Sequence, residues 1–166
     1  MPFRILLAVL CLTLLPMSRV AAQSAEEDPA VAAQSSKGVR GAHLRIARPT
    51  DQLATVAAFY RDGLGFEVLG SFEDHEGFDG IMLGHPGAGY HLELTRQQGH
   101  PVGKAPNPEH LLVFYLPDET DWRAAIERLR AQGHEPVPSN NPYWERRGKT
   151  FEDPDGYRVV LQNTGW

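Results

Sequence analysis

Hydrophobic and polar residues alternate most regularly along the stretch Tyr90–Thr95, which reads YHLELT. Successive side chains of a β-strand point to opposite faces, so Leu92 and Leu94 share one face of this segment. His91 and Glu93 share the other face and lie about 7 Å apart along the strand. A leucine face is typical of a core, whereas an imidazole beside a carboxylate is typical of a functional site. The pattern therefore predicts a strand with one buried face and a candidate site on the other.

Similar patterns before this strand predict a first group of elements. An alternating strand over 42–47 leads to a helix that begins at Thr50 or Asp51, residue types that favour the N-cap position. Val56 and Tyr60 recur at helical spacing, and two closely spaced glycines end the helix. Further strands are predicted over 66–72, 81–83 and 90–95.

The same order recurs after a connection rich in glycine and proline. A strand over 110–116 leads to a helix that begins within 117–120 and ends at Gly133. Three short strands are predicted to follow, at 135–137, 149–151 and 157–162. The order of one strand, one helix and three strands thus occurs twice, which predicts two similar βαβββ modules of an α+β protein. Each sheet is expected to cover its helix with one face and to border a shared cavity with the other.

Residues 1–22 have the features of a secretory signal peptide. Arg4 provides a positive charge, residues 5–15 form an apolar run, and small residues mark a cleavage site at the end. This apolar run is too short to cross the roughly 30 Å core of a bilayer, so stable membrane insertion after cleavage is not expected. Residues 23–40 lack periodicity and predict a disordered tether, which leaves 41–164 as the folded domain. The predicted location is secreted or periplasmic.

Composition narrows the chemistry of the mature chain. The formal net charge is −5, and it becomes more negative when a leader containing Arg4 and Arg19 is removed. An acidic chain without a basic stripe is not expected to bind nucleic acid or an anionic membrane surface. The one cysteine, Cys11, lies within the leader. The mature protein is therefore predicted to have no disulfide, no thiol nucleophile and no thiolate ligand.

Two segments of the chain have distinctive sequences: Phe59–Phe66 reads FYRDGLGF, and Phe151–Arg158 reads FEDPDGYR. Both resemble segments of the vicinal oxygen chelate superfamily, which includes glyoxalase I, extradiol dioxygenases, fosfomycin-resistance enzymes and bleomycin-resistance binding proteins. The resemblance extends over 41–164 and implies a cupped, partly closed, mixed eight-stranded sheet with helices outside. It also implies a small-molecule cavity in the cup and a homodimer, because members of the superfamily often dimerise through their sheets.

The superfamily places its metal ligands at four positions, one near the start of each module's first strand and one on each module's last strand. The resemblance assigns Glu93 to the last strand of the first module, where it is also the candidate catalytic residue. Its equivalent in the second module is Val160, and valine cannot bind a metal. His91, on the same strand face as Glu93, is a candidate replacement ligand.

The first-strand positions can be assigned in two ways. Equal spacing from the last strands selects His43 and His110, whereas counting back from the helices selects Arg45 and Leu112. With the first choice, His43, Glu93 and His110 provide two imidazoles and a carboxylate, which suit zinc, iron, manganese or nickel. This alternative predicts a metal-dependent lyase, isomerase or dioxygenase.

The metal-free alternative uses the same cavity as a binding pocket. Arg45 would neutralise Glu93 inside the cup, because a buried unpaired carboxylate is costly. His91, Tyr143 and Trp144 would supply hydrogen bonds and stacking surface, which suit a small organic ligand. Binding without a complete metal site is the leading prediction, since valine occupies one ligand position.

A third alternative is a non-catalytic interaction module. Adjacent aromatic residues in a loop tend to mark recognition surfaces, so Tyr143 and Trp144 would contact a partner protein. His91 and Glu93 would then be solvated on an open sheet face. The sequence leaves these three alternatives open.

Overall fold

A computed structural model describes residue 39 and residues 41–166. The predicted signal peptide (1–22) and nearly all of the predicted tether (23–40) lie outside the described residues. Gly41–Trp166 forms one compact unit. Within this unit no helix is long and apolar enough to cross a membrane.

The first module contains four strands and one helix. In chain order they are β1 (Leu44–Pro49), α1 (Leu53–Ala58) with a π-helical extension (Phe59–Gly63), β2 (Glu67–His75), β3 (Phe78–Gly84) and β4 (Tyr90–Gln97). The strand order of this first sheet is β1-β4-β3-β2. β1 is parallel to β4, and the other neighbouring strands are antiparallel.

The second module repeats this plan with a shorter sheet. Its elements are β5 (Leu111–Tyr115), α2 (Glu119–Ala131), a 3-10 helix (Pro142–Glu145), β6 (Gly148–Glu152) and β7 (Arg158–Gln162). The strand order of this second sheet is β5-β7-β6, with β5 parallel to β7 and β6 antiparallel to it. Each helix packs against the sheet of its own module.

The predicted α+β fold of two modules is confirmed, but the sheets do not join into one eight-stranded sheet. They remain separate, with four and three strands. The strand predicted over 135–137 is a single bridge between Val137 and Thr150. Pro136 and Pro138 flank Val137, and proline has no N–H to donate to a neighbouring strand, so the pairing stops there.

The core lies where the apolar sheet faces meet the helices. Leu92 and Leu94 of β4 are 3% and 1% exposed, so the alternation along this strand predicted its buried face correctly. On the helical side, Val56 and Leu129 are both fully buried in the same cluster. The second-sheet residue Phe151 is also fully buried there, so both modules contribute to one continuous core.

The first helix begins later than the sequence predicted. Its N-cap is Gln52, which makes no side-chain capping hydrogen bond, rather than Thr50 or Asp51. The Asp51 carboxylate instead accepts hydrogen bonds from the backbone N–H groups of Val102 (3.0 Å) and Gly103 (2.9 Å). Asp51 therefore holds the connection between the modules against the start of α1.

A buried polar group, the inter-module cluster, joins the two modules and consists of Arg48, Tyr60, Asp153 and Tyr157. Arg48 Nη2 forms an ion pair with Asp153 Oδ2, and Arg48 Nη1 donates to the Tyr60 hydroxyl at 3.2 Å. The Tyr60 hydroxyl donates to the same Asp153 oxygen at 3.0 Å. The Arg48 guanidinium also lies 4.0 Å from the centre of the Tyr157 ring. These contacts connect β1 and the extension of α1 to the turn before β7.

The surroundings of Tyr60 keep its hydroxyl protonated. Burial raises the pKa of Tyr60 above its ordinary value of 10.0, and the charge of Asp153 raises it further, while Arg48 acts in the opposite direction. The folded chain therefore holds the proton of the Tyr60 hydroxyl more tightly than the unfolded chain does. This difference stabilises the fold fully below pH 10, where the tyrosine is protonated in both states, and the stabilisation is lost as the pH rises further.

We therefore expect the free energy of unfolding to fall above pH 10, by up to about 1.4 kcal/mol per pH unit for this one proton. Urea unfolding between pH 9 and pH 12 measures the slope, and Tyr60→Phe should flatten it. Tyr143→Phe is the control, because the Tyr143 side chain is half exposed. An unchanged slope in Tyr60→Phe would contradict the assignment.

Candidate ligand-binding site

The open face of the first sheet brings together polar residues from two strands. The parallel register between β1 and β4 places Arg45 beside His91 and Ala47 beside Glu93. Because Leu92 and Leu94 face the core, the alternating residues His91 and Glu93 face away from it. The predicted division of this strand into an apolar and a polar face is therefore present in the fold.

His43, Arg45, His91 and Glu93 form one hydrogen-bonded group, called here the polar cluster. Arg45 donates from Nη1 to Glu93 Oε2 and from Nε to His91 Nε2, both at 3.0 Å. His91 Nδ1 lies 2.6 Å from His43 Nε2. The side chains thus follow one another in the order Glu93, Arg45, His91 and His43 across the two strands.

The hydrogen bonds assign the protonation states within the polar cluster. The guanidinium of Arg45 is only a donor, so His91 Nε2 must be an unprotonated acceptor. The proton of a neutral His91 then lies on Nδ1, from which it is donated to His43 Nε2. His43 in turn keeps its own proton on Nδ1. The donors left for a ligand are therefore Arg45 Nη2 and His43 Nδ1.

His91 is held in its neutral form by its surroundings. Partial burial lowers the pKa of His91 below its ordinary value of 6.5, and the charges of His43 and Arg45 lower it further, while Glu93 opposes them. We expect Arg45→Met to raise this pKa and Glu93→Gln to lower it. A pH titration of the imidazole signals by nuclear magnetic resonance measures both shifts. Shifts of the opposite sign would contradict the arrangement.

Glu93 and Arg45 differ in their access to solvent. The Glu93 side chain is 12% exposed, whereas that of Arg45 is 54% exposed. The ion pair that the metal-free alternative expects is therefore present, with the carboxylate mostly buried and the guanidinium about half exposed. In the described chain, Arg45 Nη2 has no hydrogen-bond partner, so its donors remain free for a ligand.

The donors expected for a metal ion are not brought together. Among residues 39 and 41–166, no three His, Cys, Asp or Glu side chains are placed to hold a metal ion. His110 lines a cleft with Leu92 and Leu94, on the core side of the sheet, and its ring lies 6.2 Å from that of Tyr157. His43 and Glu93 are on the opposite face, and Glu93 already binds Arg45. The set His43, Glu93 and His110 therefore does not fit a resident metal in this chain.

The equivalent face of the second sheet is closed. Glu93 pairs with Ala47 in the first sheet, and Val160 pairs with Val113 in the second. Val160 is completely buried. The chain that runs into β6 lies over this face, since a side chain added at Gly148 would overlap the Trp144 carbonyl oxygen. The second module thus covers its own half of the predicted cavity.

Tyr143 and Trp144 belong to this covering segment. Asn141 caps the 3-10 helix by accepting a hydrogen bond from Tyr143 N at 3.0 Å, and the two aromatic rings meet edge to face at 4.9 Å. Within residues 41–166, no hydrogen bond or ring contact connects them to the polar cluster. Their assignment to the same ligand site as Arg45 remains a sequence prediction.

Sequence reasoning did not identify the inter-module cluster as a unit. One signal was available, because Arg48 lies two residues after the core-facing Ile46 and therefore on the same face of β1. A charged residue at such a position requires a buried partner. The sequence does not identify the partner, Asp153, since nothing local connects it to Arg48.

Comparison with known proteins agrees with the division into two modules. The model of the YycE-like N-terminal domain matches residues 44–95, and the model of the YycE-like C-terminal domain matches residues 109–163. An uncharacterised YycE protein of Bacillus subtilis is 45% identical over 125 residues, which are 75% of this chain and 90% of that protein. The chain belongs to the YycE-like family.

Solved structures place this YycE-like chain in the vicinal oxygen chelate superfamily. A crystal structure of a YycE protein of unknown function from Bacillus subtilis is 44% identical with a TM-score of 0.71, covering 76% of this chain and 92% of that one. The trypanothione-dependent glyoxalase I of Leishmania major is 21% identical with a TM-score of 0.58, covering 74% and 86%.

An antibiotic-binding protein from a Streptomyces species is 24% identical to the YycE-like chain, with a TM-score of 0.52, covering 73% of this chain and 94% of that one. At this identity the likeness concerns the fold alone. The YycE-like chain is thus a glyoxalase-like and fosfomycin-resistance-like protein, and its chemistry has to be argued from its own residues.

Proposed function

We propose that this protein binds a small organic ligand with an oxyanion group, and that it does so through the polar cluster without a resident metal. The observation that carries the proposal is the Arg45 guanidinium, which is fixed by Glu93 and His91 and keeps Nη2 free. A guanidinium held in one orientation suits an oxyanion, because it stays charged and its free Nη2 can donate charge-assisted hydrogen bonds.

The remaining members of the polar cluster support the same ligand class. Glu93 orients Arg45, and its carboxylate is paired with the guanidinium and only 12% exposed, so it repels an incoming anion less than an exposed, unpaired carboxylate would. His91 is neutral and His43 has a proton available on Nδ1, which adds a donor at the far end of the cluster. A ligand with an oxyanion at Arg45 and a hydrogen-bond acceptor near His43 would pair with the free donors of both residues.

We further propose that a second copy of the chain supplies the walls of this site. β1 pairs only with β4, and β5 only with β7, so each of these strands has an unpaired edge in the described chain. Open strand edges favour pairing with another chain. Light scattering during gel filtration should therefore give the mass of a dimer, and a monomer at all concentrations would contradict this part of the proposal.

Replacing Arg45 by Met should weaken binding of phenylphosphonate about tenfold or more, because one charge-assisted hydrogen bond contributes about 1.5–3 kcal/mol. Isothermal titration calorimetry measures the change. Arg96→Met is the matched control, since Arg96 lies on β4, is 50% exposed and forms an ion pair with Asp79 at 2.6 Å. Equal binding by wild type and Arg45→Met would refute the site.

Export of the protein is also proposed, and the leader-like residues 1–22 support it. A secreted or periplasmic location would expose the site to small molecules from outside the cell. Fractionation of the source cells, with N-terminal sequencing of the recovered protein, tests this. A chain that still begins at Met1 in the cytosolic fraction would contradict it.

A further inference from the structure

A cavity of about 1070 Å³, called here the intersheet cleft, lies on the side of the strands opposite to the polar cluster. Ile46 and Leu92 line it from the first sheet, and Leu112 and Phe114 line it from the second. Leu92 lies between His91 and Glu93 in sequence and points to the other face of β4. The intersheet cleft and the polar cluster are therefore separate sites.

The size and lining of the intersheet cleft suit a small molecule. Binding sites for such ligands are apolar clefts of roughly 300–1,000 Å³ with a few polar groups that orient the ligand. Ile46, Leu112 and Phe114 are only partly buried, although they pack against the core. A ligand with an apolar body would remove these side chains from water, and this burial would favour binding.

Unpaired polar groups converge on the same cleft. In α2, which lies within the described residues, Arg123 and Arg130 form ion pairs with glutamates, whereas the Arg128 side chain has no hydrogen-bond or ion-pair partner. The guanidinium of Arg128 lies over Gly65, with Nε about 3.8 Å from the position of a Cβ there. The Tyr90 hydroxyl also has no partner among the described residues, and burial raises the pKa of Tyr90, which keeps it a donor.

The polar lining of the cleft includes Asp121, Arg128 and His85. Asp121, the lining carboxylate, lies in the first turn of α2, where the positive end of the helix dipole offsets its charge. Arg128 lies in the last turn of α2, where the negative end of the dipole likewise offsets part of its charge, and its guanidinium has no ion-pair partner among the described residues. His85 adds an imidazole to the lining, with its ring 5.1 Å from that of Phe66.

We propose that the intersheet cleft is a second binding site, and that it takes an amphipathic monoanion whose apolar body lies between the sheets and whose charged group meets Arg128 and Tyr90. The ligand differs from that of the polar cluster in its large apolar body. Its apolar part would contact residues of both sheets, so its binding would also stabilise the packing of the two modules.

Two naphthalene probes of similar shape test the proposal by fluorescence titration. 1-Anilinonaphthalene-8-sulfonate carries one negative charge, and N-phenyl-1-naphthylamine is its uncharged analogue. We expect both to bind with one site per chain. Arg128→Gln should weaken the sulfonate about tenfold, because it removes a charge-assisted hydrogen bond, and should change the amine by less than about twofold. Tyr90→Phe should weaken the sulfonate to a smaller extent.

Variants that fill the cleft provide the second arm. Ile46→Trp and Leu112→Trp, one on each wall, should weaken both probes, and either variant suffices if the other fails to fold. Val102→Trp is the control, since Val102 is exposed and lies outside the cleft. Thermal unfolding and far-ultraviolet circular dichroism establish that each variant is folded.

Several outcomes would overturn the proposal. The first is that wild type binds neither probe, as expected if a second copy fills the cleft. The second is that Arg128→Gln weakens both probes equally. The third is that a folded cleft-filling variant binds the probes as wild type does. Loss of the sulfonate in Arg45→Met but not in Arg128→Gln would assign the anion to the polar cluster instead.

Discussion

Replacing Asp153 by Ala should lower the free energy of unfolding by about 3–5 kcal/mol, the loss typical when one partner of a buried ion pair is removed. The Asp153 side chain is fully buried, and the Arg48 guanidinium that it binds is 13% exposed. The change would also leave the Tyr60 hydroxyl without its acceptor and remove the acceptor for the backbone N–H groups of Asp155 and Tyr157. Urea unfolding measures the loss.

An exposed ion pair of α2 is the control for this prediction. Glu119 and Arg123 are 63% and 68% exposed, so Glu119→Ala should change the free energy of unfolding by less than about 1 kcal/mol. The double variant Arg48→Met, Asp153→Leu should recover part of the loss, because it leaves no unpaired charge. A loss below about 1 kcal/mol in Asp153→Ala would show that the inter-module cluster does not hold the modules together.

Replacing Gly148 by Ala should destabilise the protein by about 1–3 kcal/mol, because the new methyl group has no space. It would overlap the backbone carbonyl oxygen of Trp144 and the side-chain oxygen of Gln162. A backbone atom cannot be moved as cheaply as the end of a flexible side chain. We therefore expect the covering segment around Pro142–Glu145 to move away from the second sheet.

Hydrogen exchange measured by mass spectrometry detects this displacement as faster exchange in the covering segment and in β7. Gly89→Ala is the matched control, since nothing lies within 4 Å of an added Cβ there and its φ angle is not positive. It should change the stability by less than about 0.5 kcal/mol. Unchanged exchange in Gly148→Ala would mean that Trp144 does not hold the second half of the cavity closed.

The alternation of apolar and polar residues was sufficient to predict the open and buried faces of β4. It identified His91 and Glu93 as neighbours on one face, and Leu92 and Leu94 as core residues, because strand periodicity depends only on local geometry. The order of elements followed from the same kind of pattern, and so did the two-module fold. The weak eighth strand could have been excluded from Pro136 and Pro138 alone.

The assignment of His110 shows where sequence spacing is insufficient. Equal spacing aligned His110 with His43. However, the first and last strands pair differently in the two modules: the partners Val113 and Val160 of the second module are one position further apart in sequence than the partners Ala47 and Glu93 of the first. A shift of one residue moves a side chain to the opposite face of its strand. The register, and not the spacing, therefore decides which face His110 occupies.

Long-range contacts account for what the sequence did not indicate. Arg48 and Asp153 are 105 positions apart, and the covering of Val160 depends on the path of a loop with no regular pattern. Local propensity contains no information about such contacts. The chain itself covers the face of the second sheet that carries Val160, whereas the first sheet presents the polar cluster on its open face.

The most direct test of this account is whether the polar cluster binds an oxyanion in the absence of metal. Isothermal titration calorimetry of chelator-treated protein with phenylphosphonate should show saturable binding, unchanged when zinc, iron(II), manganese or nickel ions are added and lost in Arg45→Met. Binding that appears only after a metal ion is added, and that persists in Arg45→Met, would contradict the account and favour a metal centre at this site.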